Sequence, residues 1–247
     1  MTRIALMTTS PWLSYAADIA DTLTAHGYDD LTVIVGRARP ERPSLRSLLG
    51  RALGRRQNAE RILASLNVPV VRYPHPLHHK AVVSDLARRQ IGVMVNTWGP
   101  IFRGPTIAQA KLGLVNCHMG LLPWFRGINI AEWSILFDAP IGNTVHLIDP
   151  GIDTGPILRF YPVDVSECPS ISAMRSKLVA LNATHIAETI SDWLAGRLTP
   201  LRQDPAAGKQ YFRMHPWLLM EVEKKLAAGY KLKHPWLPPK HSVARAP

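Results

Sequence analysis

The 247-residue chain has two cysteines, Cys117 and Cys168, which make neither a disulfide framework nor a zinc site with paired thiolate spacing. It has no Gly-x-Ser-x-Gly elbow to present a serine nucleophile, and no strand running into Gly-x-Gly-x-x-Gly to hold a dinucleotide. No window approaches the roughly 20 apolar residues of a membrane-spanning helix. The opening residues Met1 to Met7 are too short an apolar run, reaching Ser10-Pro11 too soon, for a secretory signal. Acidic residues are scarce too, 18 Asp and Glu against 29 Lys and Arg, for a formal net charge of +11. There is no internal repeat. These absences set aside serine-hydrolase, dinucleotide, zinc and membrane chemistries, and a soluble, reducing, cytoplasmic setting is the expected one.

A hydrophobic fraction of 47% is ample for a packed core. Apolar runs near residues 3–8, 31–35, 68–72, 92–96 and 113–117 alternate with helical patterns near 12–26, 44–66, 78–90 and 104–111. That rhythm predicts an α/β fold, a mostly parallel twisted sheet with helices on both faces. Ser170 to Leu194 reads as a long amphipathic helix and Leu198 to Gln210 as a linker punctuated by proline and glycine. Around Trp217 to Ala228 a short helix is expected, followed by a proline- and lysine-rich tail. The domain expectation is therefore a catalytic domain over 1–200 and a linker, short helix and basic tail over 201–247. The segment after Tyr211 has three open roles: an arm in a homodimer, a lid over a ligand, or a solvated end.

Arginines at 37, 39, 42, 46, 51, 55, 56 and 61 follow the second apolar run, with Leu45, Leu48, Leu49, Ala52 and Leu53 at helical spacing among them. Two readings stand for this segment: a surface helix packing its leucines on the sheet, or a basic amphipathic helix that meets an anionic partner.

Chemistry concentrates further on. Gly113 to His118 reads as a short strand that turns polar at its end, where catalytic groups of open α/β sheets sit. Leu121-Leu122-Pro123-Trp124 must turn, because Pro123 cannot donate to a ladder. Ile128 to Phe137 has helical spacing, and Val145 to Ile148 is strand-like. Asp149-Pro150-Gly151 is a tight-turn signal that places Asp153 on a loop before the return into Ile157 to Val165. If that loop packs beside the Asn116/His118 strand end, an amide, an imidazole and a carboxylate meet at one site suited to a carbonyl. Cys117, between Asn116 and His118, should face the opposite side of the strand. His75, His78 and His79 lack a Cys or carboxylate partner at ligand spacing and read as loop residues, so no metal site is expected.

Asn116-Cys117-His118, the Leu-Leu-Pro and Arg126-Gly127 after it, and the run from Val145 through Asp153-Thr154-Gly155-Pro156 to Leu158 resemble the signature of the folate-dependent formyltransferases. The resemblance is dense from Val93 to Val165. It implies a Rossmann-like catalytic fold, N10-formyltetrahydrofolate as co-substrate, and transfer of its formyl group to an amine through a tetrahedral intermediate. Asn116, His118 and Asp153 take the catalytic positions. Asn116 and His118 would donate to the developing oxyanion, and Asp153 would favour the charged imidazole and accept the amine's proton. The resemblance also implies that Leu147, Ile148, Asp149, Gly151 and Ile152 wrap the pteridine, with Asn96, Trp98, Gly99, Pro100 and Ile101 lining the other side. Trp98 has core packing as a second reading. His146 falls near the family's site, with supporting the loop and acting in the chemistry both open.

The acceptor is read by elimination. Thr8-Thr9-Ser10-Pro11-Trp12-Leu13 lacks the glycine-rich phosphate loop of the glycinamide ribonucleotide enzymes. Tyr211 to Pro247 is too short for the β-barrel of the methionyl-tRNA enzymes, and no regulatory domain precedes Arg3 as in the hydrolases. The expected acceptor is a small, anionic amine, first an amino-sugar nucleotide and behind it a hydroxyornithine-type siderophore precursor or an antibiotic intermediate. Nucleic acid is not the expected partner. Two other classes stay open: a formyltetrahydrofolate hydrolase, and a non-catalytic folate- or tRNA-binding protein.

Overall fold

β1 (Ile4–Thr9) is buried at all six positions, as a strand covered on both faces of a parallel sheet must be. The computed structural model describes residues 2–37, 51–204 and 206–232. Within them the chain forms two units, Met1–Asn116 and Cys117–Pro247.

In the first unit β2 (Leu31–Gly36), β3 (Val70–Arg72), β4 (Val93–Asn96) and β5 (Gly113–His118) join β1 in the order β3-β2-β1-β4-β5. All four pairings are parallel. The helices α1 (Leu13–Ala25), α2 (Arg51–Ser65), α3 (Lys80–Arg89) and α4 (Gly104–Ile107) lie between the strands in sequence. The chain builds outward from β1 to β2 and β3, then returns to place β4 on β1's other edge. Strand order therefore reverses between β1 and β4, the place where open α/β sheets bind ligands at their carboxyl ends.

β5 ends in the second unit, which holds β6 (Phe125–Gly127), α5 (Ile130–Leu136), β7 (Gly142–Leu147), β8 (Ile157–Pro162), α6 (Ile171–Leu194), β9 (Lys209–Tyr211) and α7 (Pro216–Ala227). β7 and β8 are antiparallel, with an irregularity where the ladder steps from Val145↔Arg159 to His146↔Ile157. β6 and β9 form a separate parallel pair. α6 starts at Ser170, whose hydroxyl accepts from Ala173 N. Its Ile171, Met174 and Leu178 pack with Ile135, Ile141, Val222 and Leu226 in one apolar cluster.

The expected class, a mostly parallel α/β sheet flanked by helices, is the one the chain adopts. Two local expectations are corrected. The pattern over 104–111 yields only α4, four residues long. Leu198 to Gln210 is not a bare linker: Leu201 bridges Ile157, and Lys209–Tyr211 is β9. Phe125–Gly127, which the sequence left unassigned, is β6. Such three-residue strands are too short to show a period. Leu45, Leu48 and Leu49 of the arginine-rich segment, and the tail from 233 onward, lie outside the described residues.

Candidate functional site

In the first unit the candidate residues are held by the sheet's carboxyl edge. Asn96 ends β4. Its Nδ2 donates to Asn116 Oδ1 at 2.9 Å, and its Oδ1 accepts from Gly99 N at 2.7 Å. The amide of Asn116 is thereby oriented, oxygen toward Asn96 and N–H donors turned the other way. Thr97 is fully buried and bonds Met7 O through both its backbone N–H and its hydroxyl. Trp98 adopts φ +60°, a left-handed conformation that bulky residues rarely take. Its indole is 40% exposed and stacks on Trp12, centroids 4.8 Å apart, with Tyr15 edge-on at 6.4 Å. Core packing is thus not what Trp98 does. Gly99 and Pro100 are half-buried, and Ile101 is exposed.

In the second unit the titratable residues converge. His118 lies two residues past Asn116 on β5, so strand alternation puts both side chains on one face. Its Nε2 donates to Phe125 O at 2.9 Å, leaving Nδ1 to face Asp153 Oδ2 at 3.6 Å. That separation exceeds a direct hydrogen bond and leaves Nδ1 able to turn to a third atom. A proton on Nδ1 gives an ion pair with Asp153; without it two lone pairs face each other.

Asp153 sits at φ +53° on the loop after β7. Gly127 N donates to its Oδ2 at 2.9 Å, and His146 Nε2 lies 3.8 Å from its Oδ1. Behind the loop, Gln203 Nε2 donates to Asp153 O at 3.1 Å and Gly155 O at 2.5 Å. Gly155 admits no side chain, because a Cβ would fall 1.9 Å from Leu147 O.

His146 is 1% exposed on β7 and its Nδ1 donates to Leu147 O at 2.8 Å. Burial lowers its pKa to about 4 against the opposing pull of Asp153, so it stands neutral near pH 7. The polar residues of β7 brace the same region. Thr144 donates to Gly120 O at 2.5 Å and accepts from Leu122 N, holding the turn between His118 and Phe125.

The remaining candidates on this loop are half-buried or exposed. Asp149 Oδ1 accepts from Gly151 N and Thr154 Oγ1, at 3.0 and 2.6 Å, so this oxygen shapes the loop from within. Leu147 ends β7, and Ile148, Gly151 and Ile152 follow it on the turn. Cys117 does face away from the pair that flanks it. Its thiol donates to Asn182 Oδ1 of α6 at 3.2 Å, and burial pushes its pKa up, which leaves it inert as a nucleophile. His79 caps α3 by accepting from Ala81 N and stacks on His75. Among the described residues no His, Cys, Asp and Glu cluster suits a metal ion.

Sequence reasoning missed Gln203, Trp12 and the backbone partners Phe125 O and Gly127 N. Gln203 lay in an expected linker, and a backbone partner leaves no side-chain signal. Arg126 Nη2 donates to Gly208 O at 3.0 Å.

The chain is 36% identical to the methionyl-tRNA formyltransferase of Roseiflexus sp. (strain RS-1), over 68% of this chain and 51% of that protein. It spans about half the length of the first curated relatives it matches. Among solved structures, glycinamide ribonucleotide transformylase 1 from Symbiobacterium toebii superposes with TM-score 0.60 at 21% identity, covering 81% of this chain and 94% of that one. An N-formyltransferase from Helicobacter canadensis, complexed with folinic acid and dTDP-3-aminofucose, gives TM-score 0.57 at 17% identity over 86% and 71%. These two likenesses show the fold. The formyl transferase family model matches residues 51–190, more than half of the chain, and the chain belongs to that family.

Proposed function

We propose that the protein transfers the formyl group of N10-formyltetrahydrofolate to a primary amine of a small acceptor, an amino-sugar nucleotide. One observation carries the reading: His118 Nδ1 and Asp153 Oδ2 face each other at 3.6 Å, with the second imidazole nitrogen engaged by Phe125 O. The folate supplies an activated formyl carbon on N10. As the amine adds to that carbon, negative charge grows on the formyl oxygen. Asn116, its amide aligned by Asn96, and protonated Nδ1 of His118 are donors of the kind that stabilise such an oxyanion, by about 3 kcal/mol each in comparable sites. Asp153 accepts the proton the amine loses. The C–N10 bond then breaks and N10 takes up a proton. Neutral His146 keeps a second cation from competing for Asp153.

The loop at 148–152 is the proposed seat of the pterin. Asp149 Oδ1 is used within the loop, and the peptide groups of the loop are the proposed partners of the pterin edge. The Helicobacter canadensis structure holds folinic acid, the N5-formyl isomer of the proposed co-substrate.

The acceptor reading rests on the glycine-free turn after β1 and on the sugar nucleotide in that same fold neighbour. A second reading, methionyl-tRNA as acceptor, is favoured by the names of the curated relatives and by the net charge of +11. Tetrahydrofolate release from N10-formyltetrahydrofolate, followed by absorbance against amino-sugar nucleotides, hydroxyornithine, methionyl-tRNA and a no-amine control, separates these readings. Turnover confined to an amino-sugar nucleotide supports the first, turnover on methionyl-tRNA the second, and release without amine a hydrolase. No formyl transfer to any amine refutes the transferase.

A further inference from the structure

The chemistry above gives no work to the aromatic pair at the carboxyl ends of β1 and β4. Trp12 and Trp98 stack at 4.8 Å and 21°, and are 43% and 40% exposed. The strand residues beneath them, Ile4 to Met7 and Val93 to Val95, are fully buried. A core would enclose these rings, the largest apolar surfaces a side chain offers, whereas here they stand at the solvent side of the sheet's edge.

The pair is also held stiffly. Thr8 donates to Thr97 O at 3.0 Å and Thr97 donates to Met7 O at 3.1 Å, crossing between the two strand ends with both threonines fully buried. Tyr15 of α1 meets Trp98 edge-on. Trp98 keeps its left-handed backbone, which the Asn96 to Gly99 hydrogen bond closes off. Rings fixed before a ligand arrives lose little entropy on binding.

Their position selects the ligand. They lie where strand order reverses between β1 and β4. Trp98 is two residues from Asn96, whose side chain holds Asn116. We propose that Trp12 and Trp98 form a stacking platform for the nucleobase of a nucleoside-diphosphate acceptor. This rests on the amino-sugar nucleotide reading and assigns the part of the protein that grips the nucleotide. Two parallel indoles read a π-face and tolerate any base that offers one. The other flat heterocycle in the reaction, the pterin, has an edge dense in donors and acceptors, which suits the peptide groups of a loop better than bare rings.

Calorimetric titration tests this without needing turnover. Wild type, Trp12→Ala, Trp12→Phe and Trp98→Phe are titrated with thymidine diphosphate, uridine diphosphate, inorganic pyrophosphate, 5-formyltetrahydrofolate and methionyl-tRNA. A nucleoside diphosphate should bind wild type and bind Trp12→Ala about tenfold or more weakly. The two phenylalanine variants should stay within about threefold, because a ring face remains. Pyrophosphate and 5-formyltetrahydrofolate should bind Trp12→Ala as they bind wild type. The proposal is overturned by nucleoside diphosphates that bind neither protein or both equally. A loss in Trp12→Ala confined to 5-formyltetrahydrofolate makes the platform the pterin's, and one confined to methionyl-tRNA makes it a seat for a tRNA base; either overturns it too. Transfer to an amine without a base, unaffected by Trp12→Ala, leaves formyl transfer standing and removes this platform, so the two failures are distinguishable.

Discussion

Asn96, Trp98 and Asn116 in the first unit and His118, His146 and Asp153 in the second are built on opposite plans. The first group stands on parallel strand ends, locked by threonines and by an amide that bonds another amide. None of its members titrates, and its rings are open to solvent. The second group stands at the end of β5, at the irregularity of β7 and on the loop after it, is 1% to 17% exposed at its side chains, and consists entirely of groups that exchange protons. Recognition of a flat ligand asks for rigid exposed surface, while proton transfer asks for groups taken out of water so that neighbours set their charge. The chain keeps the rings and the titrating groups on separate elements, while β5 carries a member of each group, Asn116 and His118.

The largest break in this comparison comes from the titrating side. Asp153→Asn keeps an oxygen to accept from Gly127 N but removes the base, so turnover should fall by about 10²- to 10⁴-fold, with the melting temperature little changed. Activity within tenfold of wild type would strip Asp153 of its proposed role.

On the amide side, Asn116→Ala should cost about 10²- to 10³-fold in kcat. Asn96→Ala, acting only through Asn116, should cost roughly an order of magnitude less. Equal losses would mean that Asn96 itself touches the reacting group.

A pH experiment sharpens the contrast in titration. The folded pKa of His146 is lowered to about 4, beneath its ordinary 6.5. Between those values the unfolded chain binds the extra proton. The contribution is therefore present above pH 6.5 and lost as pH falls through that window, by up to about 3 kcal/mol. Urea unfolding from pH 8 to 4 should show this slope in wild type and a flatter one in His146→Gln; parallel curves would refute it.

The smallest effect concerns the loop's support. Gln203→Ala deletes two hydrogen bonds behind Asp153 and should lower stability by about 1–2 kcal/mol. It should lower kcat more than it changes KM for the acceptor; a KM effect alone would place Gln203 in binding.

Much of this plan could be read in the chain. The apolar runs at 3–8, 31–35, 92–96 and 113–117 match β1, β2, β4 and β5 within a few residues, and 170–194 matches α6 almost end to end. Each has enough residues to repeat its period. β6 and β9 have three residues each and pair with one another, so neither could be seen alone. Of the site, Asn116 and His118 announced a polar strand end, and Asp153 a turn. That Nδ1 and not Nε2 of His118 faces the carboxylate depends on Phe125 O, a backbone atom common to every residue type.

The sequence by itself determined the parallel α/β class, the strand that carries Asn116 and His118, and the turn that carries Asp153, because periodicity, proline and glycine act over a few residues. Only the tertiary structure decided which groups meet. It joined residues 35 positions apart into the His118–Asp153 pair, made His146 neutral by burial, brought Gln203 beneath the loop and left Trp12 and Trp98 stacked in the open. Burial and through-space contact are properties of the folded chain, and no local stretch of residues encodes them.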